Sequence, residues 1–265
     1  MAMPWRLLLA LLSAGLSFTA GAATQDDLAR VDAALRRVAA PWCGRLAELD
    51  TQGQRRCNVS FKSFNLGGAG NAFAWLGMTG ITDELLAALS VDELAAVMGH
   101  ELAHLVLGHA VFNLRQQQAN AADPELTTLL SLAESFGVEP HDDVPRDPRA
   151  QELDADTLGL VFVGLAGYDV RRGASLWRTA AARIPGWAAH GGATHPCDAR
   201  RLTNASRAAN AFCRAAAAAR PPWPATERLL PAYETSRDEA LKGLDPTALA
   251  RACGGPAPAR RKTAS

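Results

Sequence analysis

The chain has no excess of charge of either sign: its 265 residues carry 27 Lys and Arg against 27 Asp and Glu. A balanced chain offers no electrostatic footprint for a phosphate backbone, so no nucleic-acid partner is expected. None of the cysteines, Cys43, Cys57, Cys197, Cys213 and Cys253, stands in a CxxC pair. Zinc-ribbon and thioredoxin-like readings therefore fail. No apolar run reaches the about 20 residues that a membrane span requires. The stretch from Leu158 to Gly167 is too short and reads as a buried helix. There is no internal repeat. Gly67-Gly68-Ala69-Gly70 lacks the Gly-Lys-Ser/Thr ending of a phosphate loop. Gly173-Ala174-Ser175-Leu176-Trp177 lacks the second glycine of a nucleophile elbow.

What is present begins with an export signal. Arg6 supplies a positive start, Leu7 to Leu16 a short apolar core, and Ala20-Gly21-Ala22 a small-x-small cleavage site. No cysteine follows that site, so lipid anchoring there is not expected. The Ala-rich composition and the lack of organellar features point to a bacterial periplasm. Export permits disulfides, and the odd cysteine count leaves one thiol over. Cys43 and Cys57 flank a short polar segment and can meet. Cys197 and Cys213 fall on one predicted helix, about 24 Å apart at 1.5 Å per residue, beyond bonding range. Cys213 is therefore expected to pair with Cys253.

Leu28, Val31, Leu35 and Val38 repeat at helical spacing, which predicts a helix over Asp26–Leu49 interrupted at Pro41. Asn58–Asn65 alternates and reads as a strand; Asn71–Trp75 and Thr79–Thr82 read as two more. Ser90-Val91-Asp92-Glu93 is a capping box, opening a helix expected to run to about Asn120. Asp123-Pro124 starts another, and Pro140–Pro148 is a charged, Pro-rich loop. Helices are predicted over Arg149–Ala166 with Gly167 as the stop, over Val170–Ile184, and over the Ala-rich Cys197–Arg220. Pro185–Pro196 reads as a Gly-rich loop. The expected organisation is a signal peptide over 1–22, one domain over 23–220, a C-terminal helical extension over 221–253 and a disordered tail over 254–265.

The chemistry concentrates in His100-Glu101-Leu102-Ala103-His104. Residues four apart on a helix return to within about 40° of each other, so both imidazoles face the same way one turn apart. Two nitrogens so placed can grip a tetrahedral zinc. Glu101, on the flank of that face, can serve as general base toward a metal-activated water. A catalytic zinc needs a third protein ligand. A histidine at 110 with glycine at 107 would supply it in one class, but those positions are Ala110 and Leu107. A glutamate from a later helix is the alternative, and Glu152 fits. Asp156 lies one turn on, placed to accept a hydrogen bond from a ligand histidine and fix its tautomer. His109, projected along the same helix, lies about 140° round from His104 and is read as structural. His141-Asp142-Asp143 reads as a solvated charge cluster.

At this point the chain resembles the HtpX and CAAX-prenyl-endopeptidase family of gluzincin metallopeptidases, family forty-eight of the metallo class, and its soluble periplasmic members in particular. The resemblance spans about Asn71 to Leu202. It rests on Asn71-Ala72-Phe73-Ala74 before the zinc helix, on Asp92-Glu93-Leu94-Ala95-Ala96-Val97 through His109, on Glu152 to Asp156, on Gly167-Tyr168-Asp169, and on Thr194-His195-Pro196 with Arg201 following. It implies an α+β, mostly helical fold with a small mixed sheet packed on the zinc-binding helices. It implies one zinc ion per chain, and a protein or peptide substrate extended along Asn71–Ala74. It also implies that His195 lies near the zinc, either donating to the oxyanion or occupying the metal's open position. Arg201 is then expected to support the oxyanion or to form a salt link to the surroundings of Glu152. Trp75-Leu76-Gly77-Met78 replaces the family's Pro-Gly-Gly turn, and the spanning helices of its membrane members are missing. The function expected is zinc-dependent endoproteolysis of exported, unfolded or damaged envelope proteins. The rival is a chaperone-like binding protein using the same cleft without cutting.

Overall fold

The computed structural model describes residues 22–49, 60–65, 70–75, 78–110, 112–113, 116, 147–183, 199–218 and 250–254. The predicted signal peptide, Cys57, the helix at Asp123, the cluster at His141, most of the 140–148 loop, the His195 loop and most of the C-terminal extension lie outside the described residues. So do Cys197 and the side chain of Cys43.

Helix α1, Gln25–Leu49, buries Leu28, Val31, Leu35, Ala39 and Trp42 along one stripe. The helix passes through Pro41 instead of breaking there, contrary to the expectation from sequence. Proline removes one backbone hydrogen bond. Here Ala39 on one side and Trp42 on the other are anchored in the core, with the Trp42 ring edge-on to Phe162 at 5.3 Å. Tertiary packing outweighs the local defect.

Three short strands follow: β1 Phe61–Phe64, β2 Ala72–Trp75 and β3 Met78–Thr82. Their order is β1-β3-β2, with β1 parallel and β2 antiparallel to β3, so the sheet is mixed. Trp75 stands opposite Met78, and Ala72 opposite Ile81. Alternation decides which face is buried. Ala72, Ile81 and Thr79 are buried. On the opposite face Phe64 and Phe73 lean over Gly80, where no side chain intervenes. Among the described residues β2 pairs on one side only, leaving its outer edge open.

Helix α2, Asp83–Ala88, is capped by the Thr82 side chain. Helix α3, Val91–Val106, opens on the predicted capping box: Ser90 accepts from the Glu93 amide at 3.4 Å, and Glu93 accepts from the Ser90 amide at 2.9 Å. Every residue of α3 from Glu93 to Val106 is buried. Helix α4, Pro148–Leu165, begins at an Asp147 cap. It ends in a Schellman arrangement, with Tyr168 N donating to Val163 O and Gly167 N to Gly164 O. Gly167 takes φ 86°, as a stop in the left-handed region should. Helix α5, Val170–Arg183, and helix α6, Ala199–Ala218, complete the core.

The closest approach is between α3 and α4. A Cβ added at Gly159 would come 2.7 Å from the His100 amide nitrogen, and one at Gly99 would come 2.8 Å from Gly159 O. These two helices therefore pack backbone to backbone, which brings α4 within reach of the α3 histidines. Helix α6 is fixed to α4 by Asn204, whose amide donates to Leu153 O and Thr157 Oγ1, each at 3.0 Å. Cys213 of α6 is bonded to Cys253, the pairing expected from sequence. The residue after it, Gly254, and the Cys253 carbonyl lie against Asp169 and Arg171 at the start of α5.

Candidate active site

His100 and His104 point from α3 toward Glu152 of α4. His100 Nε2 and His104 Nε2 are 3.0 Å apart. Glu152 Oε2 lies 3.3 Å from the first and Oε1 lies 3.4 Å from the second. One atom from each residue falls within 4.8 Å of the others, and all three residues are buried. Tetrahedral zinc with bonds near 2.0–2.1 Å sets its ligand atoms about 3.3 Å apart. The donor set therefore has the spacing, the chemistry and the number of a protein zinc site. Charge agrees: Glu101, Glu152 and Asp156 are all buried, and Arg201 is the only buried Arg or Lys among the described residues. A bound cation would offset this excess of buried carboxylates.

The outer surroundings of the two histidines differ. His100 Nδ1 lies 2.9 Å from Asp156 Oδ1. Asp156 in turn accepts a two-pronged bond from Arg201, Nε to Oδ2 at 2.8 Å and Nη2 to Oδ1 at 2.7 Å. Arg201 Nη1 lies 3.0 Å from Glu152 Oε2, and its guanidinium sits 4.2 Å over the Trp177 ring. Trp177 also stands edge-on to His100, with centroids 5.4 Å apart. Burial works against the ionised Asp156 carboxylate, but the charge and hydrogen bonds of Arg201 overcome it and hold the carboxyl below its usual range. Burial likewise opposes a charged His100, yet its bonds to Asp156 and Glu152 lift it to about 9. In the metal-free protein a proton thus stands where a cation would, and the two compete.

His104 faces another histidine on its outer side. Its Nδ1 lies 2.7 Å from Nδ1 of His109. Burial first, then the neighbouring His100 charge, pushes His104 down; burial and His104 push His109 well below the usual histidine range. This contact overturns the straight-helix projection. Helix α3 stops at Val106, not near Asn120, and Gly108 at φ 70° turns the chain so that His109 comes back against His104. His109 is not one of the three donors.

The other predicted residues are placed as follows. Glu101 is buried on α3 between the two histidines, close enough for its charge to act on His104. Asn71 precedes β2, with its amide donating to Thr82 Oγ1 at 3.0 Å and its carbonyl accepting from the Thr82 amide at 2.8 Å. Ala72, Phe73 and Ala74 lie in β2, which packs beside α3. His195 lies outside the described residues. Tyr168 is half-buried and packed on the core. Sequence reasoning missed Gly99, Gly159, His109's contact and Trp177. The glycines carried a signal, because glycine inside a helix costs about 1 kcal/mol relative to alanine and its presence on both ligand helices points to a close crossing.

A buried HExxH helix, completed by a glutamate from a later helix behind a small mixed sheet, defines a gluzincin-type zinc metallopeptidase. Residues 31–138 match Peptidase family M48, and the chain carries a domain of that family. The match includes both histidines and Glu101 and stops short of Glu152, which the tertiary structure brings to them. The chain is a metalloendopeptidase by family and by site. No curated relative matches it.

Proposed function

We propose that this chain is an exported zinc endopeptidase that cuts extended segments of unfolded or damaged envelope proteins. The observation that carries the reading is the convergence of His100 Nε2, His104 Nε2 and a Glu152 oxygen beside the buried Glu101. His100, His104 and Glu152 would hold one zinc ion. When bound, zinc supplies Lewis-acid polarisation of a water and of the scissile carbonyl. Glu101 takes the proton from the attacking water and returns it to the leaving amine nitrogen. Asp156 keeps the His100 proton on Nδ1, so that Nε2 faces the site. Arg201 anchors Glu152 and Asp156 of α4 by its salt links.

Substrate lies along the open edge of β2 at Asn71–Ala74. Main-chain pairing on a strand edge reads backbone more than side chains, which suits unfolded chains over one folded target. The Cys213–Cys253 disulfide supports an oxidising compartment such as the periplasm. No described helix is long and apolar enough to cross a membrane.

The test is hydrolysis of casein, with and without a chelator, beside the Glu101→Gln variant. The zinc-loaded protein is expected to cut, chelation to stop it, and the variant to retain zinc while losing roughly 10²–10⁴-fold in turnover. Binding of casein without any cleavage by the zinc-loaded wild type establishes the chaperone-like reading instead.

A further inference from the structure

Asp156 orients His100 from its outer side, and on the outer side of His104 stands His109. We propose that His109 is a positioning residue for His104, accepting the Nδ1 proton of His104 on its own Nδ1 and so holding the His104 Nε2 lone pair toward His100 and Glu152. This rests on the reading of the donor triad as a zinc site.

The geometry is built from several elements. The two Nδ1 atoms are 2.7 Å apart, and both rings are buried. A contact that short between two ring nitrogens holds one proton, with one imidazole donating and the other accepting. The ligating face decides which. His104 Nε2 faces His100 Nε2 at 3.0 Å and Glu152 at 3.4 Å, the position a metal ligand must leave unprotonated. A neutral His104 then carries its proton on Nδ1 and donates outward, and His109 accepts with its own proton on Nε2.

The segment carrying His109 is held in place on both sides. Gly108 takes φ 70° in the turn after α3, and that turn delivers His109 to its partner. Beyond it Phe112 is buried. Asn113 and Gln151 exchange two amide hydrogen bonds, each at 2.9 Å, one residue before Glu152 on α4. The stretch that bears His109 is thus clamped to the helix that bears the third donor. A surface histidine that merely fills space needs no such tether.

Two substitutions separate acceptor from filler. His109→Asn places an oxygen near the Nδ1 position but loses ring volume. His109→Phe keeps the ring but has no acceptor. Zinc affinity of each full-length variant is measured by competition with a chromogenic chelator, and KM is measured at saturating zinc. His109→Phe is expected to lose roughly 10–100-fold in zinc affinity, as loss of an outer partner does. His109→Asn is expected to stay within a few-fold of wild type, and KM to stay unchanged in both. The reverse order, or wild-type affinity in His109→Phe, overturns the proposal. A second readout needs no variant: nitrogen NMR of the metal-free wild type is expected to show His104 protonated on Nδ1 and His109 on Nε2. An unprotonated His104 Nδ1 overturns the proposal by itself. If wild type binds no zinc, the zinc reading of the site fails, while the NMR measurement still decides the His104–His109 hydrogen bond.

Discussion

The two histidines of the donor triad are one helical turn apart and share a face, yet their surroundings are opposite in kind. Behind His100 stands a charged lattice: Asp156, Arg201 and Glu152, closed by the Trp177 ring. Behind His104 stands a neutral imidazole. The difference follows from where each turn points. The His100 turn faces the α4 crossing, where Gly99 and Gly159 let backbones touch and where α6 adds its first turn. The His104 turn lies at the helix end, where the chain's own continuation past Gly108 brings His109 against it. A charged partner makes a ligand more basic but needs a buried counter-charge. A neutral one orients a ring without that requirement.

The largest expected break in this contrast is Arg201→Leu. It strips buried Asp156 and Glu152 of the Arg201 counter-charge and leaves His100 as the neighbour of both, and the loss in stability of the metal-free protein should be about 3–5 kcal/mol, read by denaturant unfolding. A loss below about 1 kcal/mol would mean that the charged side is solvated and the contrast overdrawn. Next is Gly159→Ala, which pushes a methyl group against the His100 backbone. It should cost about 1–3 kcal/mol, together with zinc affinity, because it separates the ligand helices. Thermal melts with and without zinc check both parts, and an unchanged zinc-induced rise in Tm counts against the crossing as the device that brings Glu152 in.

Asp156→Asn sharpens the comparison by replacing the carboxylate behind His100 Nδ1 with a neutral amide. Zinc affinity should fall roughly 10–100-fold, more than for His109→Asn. Equal losses in the two variants would show that orientation alone matters on both sides. The smallest effect is remote from the site. Glu93 caps α3 and pairs with Arg183. Burial raises its carboxyl, but the bonds from Arg183 and Ser90 prevail and hold it below the usual glutamate range. A depressed carboxyl stabilises the fold above its unfolded pKa, and that contribution is lost as pH falls through the folded value. Glu93→Gln, which keeps the cap, should cost under about 1 kcal/mol at pH 7 and nothing near pH 2. A difference that persists in acid would assign the effect to packing.

Much of this was legible in order along the chain. Ser90 and Glu93 announced the start of α3, because a capping box is a local hydrogen-bond exchange. His100 and His104 announced a pair of metal donors through helical spacing alone. Glu152 followed from the chemical need for a third donor, and Gly167 marked the end of α4. Pro41 misled, because local backbone chemistry predicted a break that Ala39 and Trp42 prevent from the core. The end of α3 misled too: Gly108 is a mild signal inside an apolar run, and a straight projection carried His109 to the wrong side.

The sequence by itself determined the donor types, the helix that carries two of them and the disulfide partner of Cys213, since spacing along a helix is fixed by 3.6 residues per turn. Only the tertiary structure decided how the donors are held. The Gly99–Gly159 approach, the Arg201 grip on Asp156 and the return of His109 onto His104 join residues 60, 45 and 5 positions apart. Contacts across helices depend on crossing geometry and on where a helix stops, and neither is set by the periodicity of either partner alone.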